Sequence, residues 1–254
     1  MRTKFSWGFF TLLFTFCGGA AAQTEPRLAF VYSTYFECDP AGEARADEII
    51  ERTYAPHYNA AVESGDILGW SWLAHFVGGK WRRALVINAA DMDSLLDASG
   101  ALGEIIEEAT PEAGRAFSET CPVHEDYIWE AADGLSSNPD GAAGGDVRFS
   151  MYVQCDMSQE ERADELMLEQ LAPIYNRYVT DGSLSGWAIL RHNVGGQWRR
   201  LLTMAASDHK TIMRVRAEIV AETAEGRAER AMRQINEICS VHQDYMWDVQ
   251  IQSP

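Results

Sequence analysis

The string Gly69-Trp70-Ser71-Trp72-Leu73-Ala74-His75-Phe76-Val77-Gly78-Gly79-Lys80-Trp81-Arg82-Arg83 returns 117 positions later as Gly186-Trp187-Ala188-Ile189-Leu190-Arg191-His192-Asn193-Val194-Gly195-Gly196-Gln197-Trp198-Arg199-Arg200. Each copy reads as a strand, a Gly-Gly turn and a returning strand. The correspondence extends outward. Arg45-Ala46-Asp47-Glu48 returns as Arg162-Ala163-Asp164-Glu165, and Ala55-Pro56 as Ala172-Pro173. Cys121-Pro122-Val123-His124-Glu125-Asp126-Tyr127-Ile128-Trp129 returns as Cys239-Ser240-Val241-His242-Gln243-Asp244-Tyr245-Met246-Trp247. The chain is therefore two copies of one module.

Between these landmarks the hydrophobic period alternates. Leu28 to Cys38 reads as a strand, and Glu43 to about Ser64 as a helix with apolar residues three and four apart. Pro56 must kink or divide that helix, because proline has no N–H to donate. After the hairpin come a helix from Asp91 to about Glu108, whose continuation Pro111 and Gly114 break, and a last strand from Cys121 to about Ala131. Ala132 to Asp146, rich in Gly, Ala and Ser, reads as a linker. The second copy repeats the order, with its long helical region from about Asp208 to Ile238 interrupted at Gly226.

Strand–helix–strand–strand–helix–strand is the split βαβ order, and right-handed crossovers place the strands four, one, three, two. Helices cover one face of such a sheet. The other face, also rich in Trp, Leu and Val, needs cover of its own. The expected class is α+β: two tandem ferredoxin-like βαββαβ modules, residues 27–131 and 147–251, joined by 132–146 and packed sheet to sheet. The chain resembles the dimeric α/β-barrel superfamily, on its element order, its proline-containing first helix followed by Gly and strand two, and its duplication. Two roles stay open, of which the resemblance implies the second. The first is a small-molecule-binding or structural pseudo-dimer. The second is an oxidoreductase, either a cofactor-independent monooxygenase or a haem-binding enzyme. The sequence names no cofactor and leaves further oligomerisation open.

Met-Arg-Thr-Lys, an apolar run from Phe5 to Cys17 and the ending Ala20-Ala21-Ala22 read as a secretory signal over residues 1–22, so the expected address is periplasmic or extracellular. A lipoprotein reading of Cys17 is the alternative, although Phe16 is bulky where lipid attachment wants a small residue. No later segment is apolar for long enough to span a bilayer, so no membrane contact is expected after signal removal. The chain carries 38 acidic against 21 basic side chains, and its net charge of −17 repels nucleic-acid phosphates and anionic lipids.

Export makes cysteines into cross-links. In the proposed topology Cys38 ends strand one beside the start of strand four at Cys121, and Cys155 and Cys239 stand in the same places in copy two. The expected bridges are Cys38–Cys121 and Cys155–Cys239; a zinc site built from the four is the alternative. Counting back from the turn glycines sets His75 across from Arg82 and His192 across from Arg199. His124 and Asp126, like His242 and Asp244, are two apart and share a strand face. One reading makes these eight residues a ligand pocket, with Arg82 and Arg199 holding an anion while a histidine moves a proton. A second takes His75, His124 and Asp126 as metal ligands, and a third makes them structural. Serine-hydrolase, zincin, phosphate-loop and dinucleotide motifs are all missing.

Overall fold

The computed structural model describes residues 30–137 and 145–253 of the 254. The expected signal segment lies outside them, as do residues 138–144 of the expected linker. The first half runs β1 (Phe30–Glu37), α1 (Glu43–Ile49), a π-helical turn (Ile50–Tyr54), α2 (Ala55–Ser64), β2 (Gly69–Val77), β3 (Arg83–Ala89), α3 (Met92–Ala109), α4 (Pro111–Thr120) and β4 (Val123–Ser137). The second runs β5 (Val147–Gln154), α5 (Glu160–Leu166), a π-helical turn (Met167–Leu171), α6 (Ala172–Thr180), β6 (Gly186–Val194), β7 (Arg200–Ala206), α7 (His209–Glu222), α8 (Gly226–Ile238) and β8 (Val241–Gln252).

Proline shapes the first helix of each half. Pro56 and Pro173 remove one i→i−4 bond, and the turn before each widens instead of breaking. Ala55 N–H donates to the carbonyl of Ile50, and Ala172 N–H to that of Met167, five residues back in both cases. Asp91 and Asp208 cap α3 and α7 by accepting from Ser94 N–H and Thr211 N–H, contacts typically worth about 1 kcal/mol each. Pro111 starts α4 where a plain break was expected. At the first helical position its missing N–H costs nothing, since that donor has no intrahelical partner anyway.

The eight strands close one barrel in the order β1-β3-β2-β8-β5-β7-β6-β4. Each half supplies four, one, three, two, and its two edge strands pair with those of the other half: β2 with β8 and β4 with β6, both antiparallel and both with register shifts. The halves thus share main-chain hydrogen bonds along two seams as well as burying their faces. Closure leaves no open strand edge in the sheet. It also explains why β4 passes the expected end at Ala131: Ser136 and Ser137 pair with Ala188 and Trp187.

Strand alternation sorts the core into an inner and an outer layer. Inside the barrel lie Tyr35, Trp81, Tyr127 and Trp129 with their counterparts Tyr152, Trp198, Tyr245 and Trp247, all buried. Tyr35 stacks on Trp81 at 4.3 Å, Trp81 on Tyr245 at 5.0 Å, and Tyr127 on Trp129 at 4.9 Å. Outside, Leu95 of α3 and its neighbouring helices cover Trp70, Trp72 and Ile87 in one half, and Ile212 of α7 and its neighbours cover Phe149, Trp187 and Met204 in the other. Simple alternation sets Trp70, Trp72, Phe76 and Trp81 on one hairpin face. The structure divides them. Trp81 precedes β3, which begins at Arg83, so it lies outside the regular alternation and turns into the barrel. Phe76 stays exposed and stacks on His209 at 4.1 Å.

Two disulfides, Cys38–Cys121 and Cys155–Cys239, tie the end of β1 or β5 to the entrance of β4 or β8. Their sequence separations of 83 and 84 residues correspond to a constraint on the unfolded chain of about 4 kcal/mol each on the chain-entropy view. Among the described residues no helix is long and apolar enough to cross a membrane.

Candidate functional site

The hairpin arginines reach back to the first turns of α1 and α5. Arg82 donates through Nε to Glu43 Oε1 at 2.5 Å, and Arg199 to Glu160 Oε1 at 2.6 Å. The next arginine in each half is more deeply buried and grips an aspartate with two donors. Arg83 holds Asp47 at 2.7 and 2.7 Å, and Arg200 holds Asp164 at 2.7 and 2.9 Å. Glu43 and Asp47, four apart, share a helix face, as do Glu160 and Asp164. Burial alone would raise the Glu43 and Glu160 carboxyls, but the arginine hydrogen bonds and charges hold both below the usual range. Arg82 and Arg199 are therefore already engaged by carboxylates of the chain. The repeated Arg-Ala-Asp-Glu strings were the signal in the sequence for Asp47 and Asp164, and Glu43 and Glu160 stand two residues before each string.

Each hairpin histidine sits beside its arginine, with Arg82 Nη1 2.6 Å from His75 Nδ1 and Arg199 Nη1 2.8 Å from His192 Nδ1. Arginine donates only, so Nδ1 accepts and the neutral ring carries its proton on Nε2. Burial first, then the neighbouring Arg82 or Arg199 charge, pushes both imidazoles below the ordinary histidine range. Both rings lie on the seams. His75 pairs with Trp247 and meets the Tyr245 and Trp247 rings edge-on at 6.2 and 6.3 Å; His192 pairs with Trp129 and meets Tyr127 and Trp129 at 6.3 Å each.

His124 and Asp126 lie on the opposite, helix-covered face. His124 Nδ1 is 2.9 Å from Asp126 Oδ2, while Asp126 Oδ1 is buried with no hydrogen-bond partner. Tyr32 and Thr34 of β1 stand in the same row, Tyr32 beside Ile128 and Thr34 opposite Asp126. Burial first, then the Asp126 charge, raises the Tyr32 phenol, and a side-chain hydrogen bond to Asp126 adds to the rise. Ser99 of α3 also has a buried Oγ without a partner. In the second half Asp244 Oδ2 accepts from Arg216 at 3.2 Å, Asp244 Oδ1 is buried without a hydrogen-bond partner as Asp126 Oδ1 is, and the residues corresponding to Tyr32 and Thr34 are Phe149 and Met151. The eight residues drawn together from the sequence thus divide into two sets. His75, Arg82, His192 and Arg199 form seam clusters, while His124, Asp126, His242 and Asp244 stand on the outer sheet faces. Tyr32, Ser99 and Arg216 went unread, and their signal is a change of polarity between copies.

No group of three or more His, Cys, Asp or Glu side chains among the described residues is placed to hold a metal ion. The proposed set of His75, His124 and Asp126 is split because odd and even strand positions face opposite sides of the sheet. The barrel interior is filled by aromatic rings and does not fit a haem. Burial pushes the Tyr35 phenol there up to about 12. The best-formed open depressions lie on the outer helices, one of about 640 Å³ between α3 and α4 lined by Ile106, Glu107, Pro111 and Arg115 among others.

No protein-family model matches the sequence, and no curated protein matches it. Solved structures do match the fold. A candidate monooxygenase from Fusobacterium nucleatum aligns with a TM-score of 0.60 at 9% identity, covering 89% of this chain and 94% of that one. The fold is that of a dimeric α/β-barrel. A second candidate monooxygenase, from Lactobacillus acidophilus, aligns at 0.57 and 4% identity, over 89% and 96% of the two chains. A dye-decolorizing peroxidase from Bacteroides thetaiotaomicron aligns at 0.55 and 9%, over 88% and 94%. Here both halves of the dimeric α/β-barrel belong to one chain. At these identities the likeness concerns fold, and a fold hosts many chemistries.

Proposed function

We propose that this dimeric α/β-barrel is an exported small-molecule-binding protein, with its site on the helix-covered face of the first half around Tyr32, Ser99, His124 and Asp126. One observation carries the reading: Ser99 Oγ is a buried polar atom without a partner, and the polar Tyr32 and Thr34 of this half are replaced by Phe149 and Met151 in the second. Unsatisfied buried polar atoms cost free energy unless a water or a ligand meets them. The filled interior argues against a site within the barrel. The His124–Asp126 pair would also serve an oxidoreductase that takes a proton from its substrate, the reading that the named structural neighbours favour.

The test is a thermal-shift screen of small metabolites against the mature protein, Asp126→Asn and the internal control Asp244→Asn. Ligands that stabilise the parent and Asp244→Asn but not Asp126→Asn support the site. Ligands whose shifts survive Asp126→Asn unchanged place it elsewhere.

A further inference from the structure

Each hairpin tip is fastened twice, once to the other half and once to its own. The Tyr245 hydroxyl of β8 accepts from Trp81 N–H at 3.4 Å and from Lys80 N–H, and the Tyr127 hydroxyl of β4 accepts from Trp198 and Gln197 N–H. The approach is close. A side chain on Gly79 would meet the Tyr245 hydroxyl at 2.6 Å, and one on Gly196 the Tyr127 hydroxyl at 2.5 Å, so glycine is what lets either tip lie on the tyrosine opposite. Each tip then leads into a buried tryptophan of the interior, Trp81 or Trp198. The fastening to the home half differs. Lys80 Nζ lies between two carboxylates, 2.8 Å from Glu37 Oε1 of β1 and 2.5 Å from Glu125 Oε1 of β4. At the same three places the second half has Gln197, Gln154 and Gln243. Gln154 Nε2 donates to Gln197 Oε1 at 2.6 Å, while Gln243 Nε2 donates to the Tyr245 hydroxyl at 3.2 Å. Two ion pairs hold the first tip where one neutral hydrogen bond holds the second.

We propose that the two Gly-Gly tips are lids on the aromatic interior and that they open unequally, the first latched by charge and the second the readier to lift. Lifting a lid frees the tyrosine hydroxyl beneath it. The Cys38–Cys121 disulfide joins the strand ends that carry Glu37 and Glu125, so the latch of the first lid closes on a fixed base. Lys80 and the two glutamates are partly exposed, so the latch has the strength of a surface pair, about two- to fivefold in an opening equilibrium. Salt screens such a latch, since the Debye length falls to about 3 Å at 1 M, whereas the amide hydrogen bond between Gln154 and Gln197 carries no net charge to screen. The small-molecule site on the outer face plays no part in this.

The test is amide hydrogen exchange on the mature, disulfide-bonded protein, read by NMR at Trp81 and Trp198, whose N–H groups the two tyrosines hold. At low salt the Trp81 amide is expected to be better protected than the Trp198 amide by about two- to fivefold. Sodium chloride at about 1 M erases that margin, and so does Lys80→Gln at low salt, with Trp198 unmoved in both cases. The triple change Gln154→Glu, Gln197→Lys and Gln243→Glu raises protection at Trp198 by a similar factor and makes it salt-sensitive. Equal protection of the two amides at low salt overturns the proposal, as does greater protection at Trp198. A margin at Trp81 that survives either salt or Lys80→Gln overturns the ionic latch, and so does a triple variant with no gain at Trp198.

Discussion

Trp247→Ala tests whether two seams make one cooperative barrel. Trp247 is fully buried, stacks on Tyr245 at 5.0 Å and 10°, and lies directly across the β2–β8 seam from His75. Removing about 200 Å² of apolar surface at about 25 cal/mol per Å² gives an upper figure of about 5 kcal/mol. Large-to-small changes at packed sites measure about 3–5 kcal/mol, so a loss of about 4 is expected. Because β8 is hydrogen-bonded to β2, the loss must be felt in both halves. Urea unfolding followed by hydrogen exchange reports on β3 and β7 separately. The reasoning predicts one transition, displaced equally for peptides of either half. Two transitions, with only the second half's displaced, would refute the seam argument, as would a loss below about 1 kcal/mol.

Gly195→Ala sets a Cβ 2.5 Å from Tyr127 Cδ1 and 2.8 Å from the Asp126 carbonyl oxygen, at a φ of +139°, so a loss of about 1–3 kcal/mol is expected in the same unfolding assay. Asp164→Leu leaves the buried Arg200 with Glu160 as its remaining carboxylate and should cost about 3 kcal/mol, the low end for a broken buried pair and more than Asp47→Leu at its more exposed counterpart. His75 and His192 titrate below their ordinary range when folded, so their contribution is intact above about pH 6.5 and is lost as pH falls through the folded values. Melting temperature should decline from that pH downward, and less so in His75→Gln/His192→Gln. Below about pH 4.5, Glu43 and Glu160 add a second decline, because their depressed carboxyls lose the arginine contacts on protonation.

The fold was legible where a local rule fixes geometry. Gly78-Gly79 and Gly195-Gly196 set the hairpin register, so His75 and Arg82 could be paired by counting, and proline marked where each first helix changes its winding. Edge-to-edge closure was not legible, because nothing local in β2 or β4 names the strand of the other half that it will pair with. Trp81 was misplaced because alternation holds only within a strand, and β3 begins two residues after it, at Arg83. The arginines looked free for an anion because their partners, Glu43 and Glu160, lie 39 residues upstream. Tyr32, Ser99 and Arg216 have no motif. They emerge only when equivalent positions of the two halves are compared with their surroundings known.

The most direct measurement separates the outer face of the first half from the barrel interior as the place where a small molecule binds. With 3-fluorotyrosine incorporated and resonances assigned by single Tyr→Phe changes, fluorine NMR reads Tyr32 apart from Tyr35 and Tyr152 during titration with any ligand the thermal screen returns. The account predicts that Tyr32 shifts while Tyr35 and Tyr152 stay where they are. Movement of Tyr35 and Tyr152 with Tyr32 unchanged would contradict it.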